Sequence, residues 1–243
     1  MPVRRACSVV LACACAAAGL AGCSSGHGPP SPGCCSAPGA YALDVTTAGR
    51  VRWQVPLAGP ALGSRLSPLA VGAVAVFAQG DVLYGLRLAD GHRVWSRAIS
   101  QPIAGMWRWQ SLVIVLTEGA AGGRPLLTGL DASTGQARWT QLIAGGVDGS
   151  YPIADGGLAI LGGDGTLEVV DLSSGRVRWT RPVGYPTQYP LPMAVAGGAV
   201  LFAVNGQLTS YDDRTGQIRW TDALMPILLA PNLGLQAAAG LVY

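Results

Sequence analysis

Lysine is absent from this chain of 243 residues, so all 16 of its basic side chains are arginines. A phosphate-binding loop needs a lysine, and Gly162-Gly163-Asp164-Gly165 joins two expected strands without opening a helix, which excludes that class. Histidine is nearly absent too: His27 lies in a Ser/Gly/Pro-rich stretch and His92 in a turn, with no neighbours at the spacing of a Ser-His-Asp or zinc site. No cysteine follows Cys35. The bulk of the chain therefore carries no disulfide and must be held by packing. No run of useful length has the 3.6-residue period of an amphipathic helix. Charged residues make up only 12%, and with Arg4 and Arg5 set aside 14 basic residues stand against 13 acidic ones. That near-neutral balance, with the arginines dispersed, leaves no electrostatic footprint for nucleic acid.

What is present is a repeat. Leu130-Asp131-Ala132-Ser133-Thr134-Gly135 runs on to Trp139. The pattern returns from Asp171 through Gly175 to Trp179, and from Asp212 through Gly216 to Trp220. Two weaker copies end at Trp53 and Trp95, so the tryptophans are spaced by 42, 44, 40 and 41 residues. A fixed period of this length marks a repeat architecture. Locally, the Asp side chain can accept from the backbone N–H groups that follow it, and Gly takes the positive φ that closes the bend. Runs such as Thr166–Val170 and Arg176–Thr180 alternate with period two and read as half-buried strands. In the second run Val177 and Trp179 are expected on the inward face, and Arg176 and Arg178 in solvent.

The N-terminus reads as a targeting segment. Arg4 and Arg5 supply the charged region and Ala6–Leu20 an apolar stretch too short and Ala-rich to span a membrane comfortably. It closes on Leu20-Ala21-Gly22-Cys23, which resembles the bacterial lipobox. That resemblance implies a signal peptide over 1–22 and a diacylglycerol thioether on Cys23. It also implies localisation at the cell membrane, anchored on the extracytoplasmic face. Residues 23–39, rich in Ser, Gly and Pro, read as a tether to the domain at 40–243. The adjacent Cys34 and Cys35 within it could form a vicinal disulfide, pair with a second chain or stay free.

Before Trp95, Trp139, Trp179 and Trp220 the chain reads as four short strands separated by turns. The unit at about 152–180 is the clearest. Four antiparallel strands every 40 to 44 residues is the pattern of a β-propeller blade. The first copy is expected to have only its last two strands, near Tyr41–Val45 and Arg50–Val55, and the stretch from about Leu233 only the first two. The expectation is an all-β propeller of about five blade equivalents. Either the two halves complete one blade, or the sequence is part of a seven- or eight-bladed ring.

At this point the residues resemble the pyrroloquinoline-quinone-type (PQQ-like) propeller repeats, whose signature is Ala-x-Asp-x-x-Thr-Gly-x-x-x-Trp. The Asp131, Asp171 and Asp212 copies match it, with Ser174 in place of Thr and with Gly129, Val169 and Ser210 in place of the opening Ala. The Trp95 copy departs, with Arg87 at the Asp position and Asp90 at the Thr position. The resemblance implies that Trp53, Trp95, Trp139, Trp179 and Trp220 dock blade against blade, and that Asp131, Gly135, Asp171, Gly175, Asp212 and Gly216 shape the turns. It also implies a range of functions. Some members are quinone- and calcium-dependent dehydrogenases, others are scaffolds such as the lipoprotein of the outer-membrane barrel-assembly machinery, and related propellers are sensor domains.

The acids at Asp44, Asp131, Asp171 and Asp212 recur at one place in their units and read as structural. The remainder, including Asp155, Asp164 and Glu168, show no metal-ligand spacing. No catalytic, cofactor or metal residue emerges, so neither quinone nor calcium is expected. Trp107 and Trp109 break the rule of one Trp per unit. They read either as core packing or, with Tyr185 and Tyr189 in a Pro-rich loop, as a partner surface on the inter-blade loops. The expected function is a lipid-anchored, non-catalytic binding or scaffold propeller at the envelope, with protein or envelope-component partners. The alternatives are a quinoprotein dehydrogenase and an extracellular sensor.

Overall fold

The computed structural model describes residues 8–12, 39–45, 51–60, 66–119, 123–153, 155–184, 193–204, 206–223, 237–238 and 241–242. Every regular element among them is a strand. Short turns rich in Gly and Asp separate runs of Val, Leu, Ile and Ala, and no run is long enough or correctly spaced for a helix.

The strands pair in sequence order as successive antiparallel meanders. The first sheet holds β1 (Ser8–Ala12), β2 (Gly39–Val45) and β3 (Val51–Pro60). The second holds β4 (Leu69–Val71), β5 (Val74–Gln79), β6 (Val82–Arg87) and β7 (Arg93–Ala98). The third is β8 (Ile103–Trp109), β9 (Leu112–Thr117), β10 (Leu126–Asp131) and β11 (Ala137–Leu142). The fourth is β12 (Val147–Ile153), β13 (Gly157–Gly162), β14 (Thr166–Asp171) and β15 (Val177–Pro182). The fifth is β16 (Met193–Ala196), β17 (Ala199–Val204), β18 (Gln207–Asp212) and β19 (Ile218–Ala223). A short pair, β20 (Ala237–Ala238) and β21 (Leu241–Val242), follows. These are propeller blades, and their order is the one expected.

The first sheet differs from expectation. Two strands are expected there, yet β1 pairs with β2 from Ser8 opposite Val45 to Ala12 opposite Tyr41. The apolar run Ser-Val-Val-Leu-Ala, read as the core of a leader, has the β-branched composition that satisfies an open strand edge.

The chain divides into two compact units. One comprises residues 1–100 with 132–135, the other residues 101–131 with 136–243. In the first unit Trp53, Ala75, Phe77, Tyr84 and Leu86 form the core. In the second, Ile114, Leu116, Leu127, Leu158 and Ile160 form one cluster. Leu167, Val169, Trp179, Met193, Phe202 and Tyr211 belong to another. The middle strands β5 and β13 are buried along their whole length. Packing on both faces explains why they read as continuous apolar runs without alternation.

A second departure recurs in every copy. Register shifts by one residue where the last strand of each sheet begins. Val169 faces Trp179 and Val170 faces Val177, so Arg178 is the extra residue of a β-bulge. Arg138 and Arg219 hold the same position in their sheets. The bulge breaks strict alternation. Val177 is therefore exposed, where the pattern places it inward. Arg178 is only 15% exposed, where the pattern places it in solvent.

Candidate functional site

The recurrent turn is a clasp between consecutive blades. In the Asp171 copy, the Gly175 N–H donates to the Asp171 carbonyl and the Asp171 N–H to the Arg176 carbonyl, both at 2.8 Å. The Asp171 Oδ1 accepts from the backbone N–H groups of Ser173 and Ser174 and from both hydroxyls. Its Oδ2 accepts from Arg178 at 3.0 Å. Asp212 repeats this with Arg214 N–H, Thr215 and Arg219. The Trp95 copy reaches the same end with its charges exchanged. Arg87 Nη1 pairs with Asp90 at 2.9 Å, and Asp90 Oδ1 accepts from the His92 N–H. The departure noted in the sequence is thus compensated.

These bonds set the protonation of the turn. Burial would raise Asp171, but the Ser173 hydroxyl, Arg178 and Ser174 outweigh it and hold the carboxyl well below the usual range. The Arg219 guanidinium, then Thr215, do the same for Asp212.

Each turn glycine lies against the tryptophan of the preceding copy: Gly91 on Trp53, Gly135 on Trp95, Gly175 on Trp139 and Gly216 on Trp179. Trp53 Nε1 donates to the Leu88 carbonyl at 3.0 Å, Trp95 Nε1 to Ala132 at 2.8 Å and Trp179 Nε1 to Asp213 at 3.0 Å. Trp139 Nε1 has no acceptor among the described residues. Two residues on, Arg97 and Arg181 donate to the carbonyls of Gly135 and Gly216. Trp220, by contrast, is 43% exposed.

Trp107 and Trp109, expected as core or as partner anchors, both pack against the Ile114–Leu158 cluster. Trp109 lies over Gly156 as the docking tryptophans lie over theirs. That packing takes up ring surface a partner would need. Cys23, Tyr185 and Tyr189 lie outside the described residues.

A network missing from the sequence reading surrounds Asp155. Arg178 bridges Asp155 and Asp171, at 2.9 and 3.0 Å, and Arg214 reaches Asp155 from the next turn at 3.2 Å. Beside it opens a cavity of about 590 Å³, lined by Asp155, Gly197, Asp212, Asp213, Arg214 and Arg219 among others. Asp213 is the unusual member. It is only 3% exposed. Burial, then the neighbouring Asp155 and Asp212, push its carboxyl above the usual value. A signal for it did exist in the sequence. The residue after the motif position is Leu88, Ala132 and Leu172 in three of the other copies, and only this one puts a charge there.

Glu168, on β14, is a second buried carboxyl. Its Oε2 accepts from the Ala144 N–H at 3.3 Å, and its Oε1 has no partner among the described residues. Burial raises it above its ordinary 4.5, against the Ala144 N–H and Arg124, which lower it. A carboxyl raised on folding favours the protonated form, so its contribution to stability is lost as pH rises through the folded value. Glu168→Gln is therefore expected to stabilise the protein by about 1 kcal/mol at pH 7. Urea denaturation should show this advantage shrinking as pH falls towards 4.5.

Among the described residues no three His, Cys, Asp or Glu side chains converge as a metal ion would require. The recurring carboxylates of the Asp171 and Asp212 turns are taken by arginine and by the turn itself.

The meander sheets and the Trp-on-Gly clasp define the class, a β-propeller built of PQQ-like repeats. The chain belongs to the family described as outer membrane protein assembly factor BamB, which matches residues 36–116 and 109–226. No curated protein matches the chain. Among solved structures, BamB from Moraxella catarrhalis is 21% identical with a TM-score of 0.55, covering 75% of this chain and 55% of that one. The quinohemoprotein alcohol dehydrogenase of Comamonas testosteroni is 16% identical with a TM-score of 0.52, covering 77% and 40%. The computationally designed Ika8 protein reaches a TM-score of 0.56 at 13% identity, covering 83% and 64%. The chain spans about half the length of these two natural propellers. At these identities the likeness is one of fold.

Proposed function

We propose that this protein is a non-catalytic binding or scaffold propeller of the bacterial envelope, anchored by a lipid on Cys23 and engaging a protein or envelope-component partner through its inter-blade loops. The observation that carries this reading is the use made of the motif carboxylates. Asp171 and Asp212 are bound to their turns and to Arg178 and Arg219, which leaves them no part in redox chemistry. Membership of a family described as an outer membrane protein assembly factor supports the envelope setting. The quinone and calcium of dehydrogenase relatives have no role in this reading, because a scaffold needs surfaces rather than a hydride acceptor.

The test has two arms. Adding pyrroloquinoline quinone and calcium to the full protein is expected to change neither the quinone absorbance nor the thermal midpoint. Saturable stabilisation by the pair would overturn the non-catalytic reading. Recovery from membranes is expected to bring down a defined partner with the native protein. Cys23→Ser should release the chain from the membrane fraction. A variant that stays membrane-bound, or a partner set shared with an unrelated lipoprotein, would count against the anchored scaffold.

A further inference from the structure

The repeat provides its own control for every position, and Asp213 is where the control fails. The backbone at this position is held from both sides. Its N–H donates to the Gly198 carbonyl at 3.1 Å, and its carbonyl accepts from Trp179 Nε1 at 3.0 Å. Leu88 and Leu172 occupy the corresponding places, each with its N–H on the opposite hairpin, to Ala73 and Gly156. The fold therefore fixes the side chain here between two hairpin turns, in a place that suits an apolar group. Leu172 is 2% exposed there and Ala132 3%.

Burying a carboxylate at such a place is costly unless a cation meets it. The neighbouring charges are all committed elsewhere. Arg178 is shared between Asp155 and Asp171, Arg214 is bound to Asp155, and Arg219 to Asp212 and the Gly197 carbonyl. The carboxylate of Asp213 has no hydrogen-bond partner and no ion pair among the described residues. Its Oδ2 lies beside Gly198, and both residues line the cavity. The volume, about 590 Å³, is in the range of small-ligand pockets. A divalent cation would need further oxygen ligands, and no three carboxylates here converge on one point. A guanidinium or ammonium group needs only one carboxylate acceptor together with turn carbonyls.

We propose that the cavity beside the Asp212 turn binds an organic cation, a guanidinium or primary ammonium group, whose charge is received by Asp213. The Asp155–Arg214 and Asp212–Arg219 pairs line it. Such a cation can come from a free small molecule or from a basic side chain on a polypeptide. The inference rests on reading the protein as a binding module, but it concerns the purified chain, so it can fail while membrane recovery of a partner succeeds, and the converse.

The experiment is a calorimetric titration of the full protein with methylguanidinium, methylammonium, calcium and a short arginine-containing peptide. Saturable binding of at least one organic cation is expected. Asp213→Asn should weaken it by about tenfold or more, as for loss of a charge-assisted contact. Asp213→Leu should abolish it while raising the thermal midpoint, because leucine is the residue that Trp53's and Trp139's partner turns carry at this position. A peptide bound more tightly than methylguanidinium identifies a polypeptide source, and equal affinities a free cation. The proposal is overturned if no organic cation binds saturably, if Asp213→Asn binds as the native protein does, or if calcium alone shows the Asp213-dependent binding.

Discussion

Trp179→Ala is expected to lower the unfolding free energy by about 4 kcal/mol, whereas Trp220→Ala should cost less than about 1 kcal/mol. The two residues hold the same position in consecutive copies and differ in what lies on them. Trp179 is in the core cluster with Leu167, Val169, Phe202 and Tyr211. Its ring stacks on Tyr211 with centroids 6.1 Å apart, Gly216 covers its face, and its Nε1 is hydrogen-bonded to the Asp213 carbonyl. Removing it opens a cavity and leaves a buried carbonyl without its donor. Trp220 is 43% exposed and Ile218 beside it 62%, so little packing is lost there. Urea unfolding followed by far-ultraviolet circular dichroism checks both, and equal costs would refute the idea that the docked partner, rather than the indole itself, supplies the stability.

Gly175→Ala is expected to cost about 3 kcal/mol and Gly72→Ala about 1 kcal/mol. Both glycines have positive φ, +71° and +61°, so each substitution carries the left-handed penalty of a residue with a Cβ. Only Gly175 adds a collision. A Cβ there would come within 2.5 Å of Trp139 Cδ2, while one at Gly72 meets nothing within 4 Å. The indole cannot retreat, because Trp139 packs against the Ile114–Leu158 cluster. Chemical denaturation of the two variants separates the backbone term from the contact term. Similar costs would mean that the turn glycine is there for its φ alone.

Much of the architecture was legible because it is local or periodic. The turn acids, the glycines and the strand runs lie within a few residues of one another, and the repeat shows each of them several times. The clasp was legible in part. The spacing of the tryptophans marks them as equivalent, but that Trp179 reaches a carbonyl 34 residues away is a tertiary fact. The exchange of Arg87 and Asp90 looked like decay of the motif and is a compensated pair. Arg178 was misplaced into solvent because period-two reasoning assumes an unbroken strand. The arginine before Trp53, Trp139, Trp179 and Trp220 was the available sign that this position carries its own role.

The repeat, the strand order and the turn chemistry are set locally along the chain. Each follows from the backbone preferences of Asp, Thr and Gly and from a two-residue side-chain period that needs no distant partner. Which carboxylates of that repeat find a partner depends on contacts across and between the sheets. Asp155 meets Arg178 across 23 residues and Arg214 across 59. The first contact spans the fourth sheet, and the second forms only because the fourth and fifth sheets lie side by side. The motif acids are neutralised within their own hairpins, Asp171 by Arg178 and Asp212 by Arg219, while the packing of neighbouring turns leaves unpaired, among the described residues, an Asp213 carboxylate that the motif does not include.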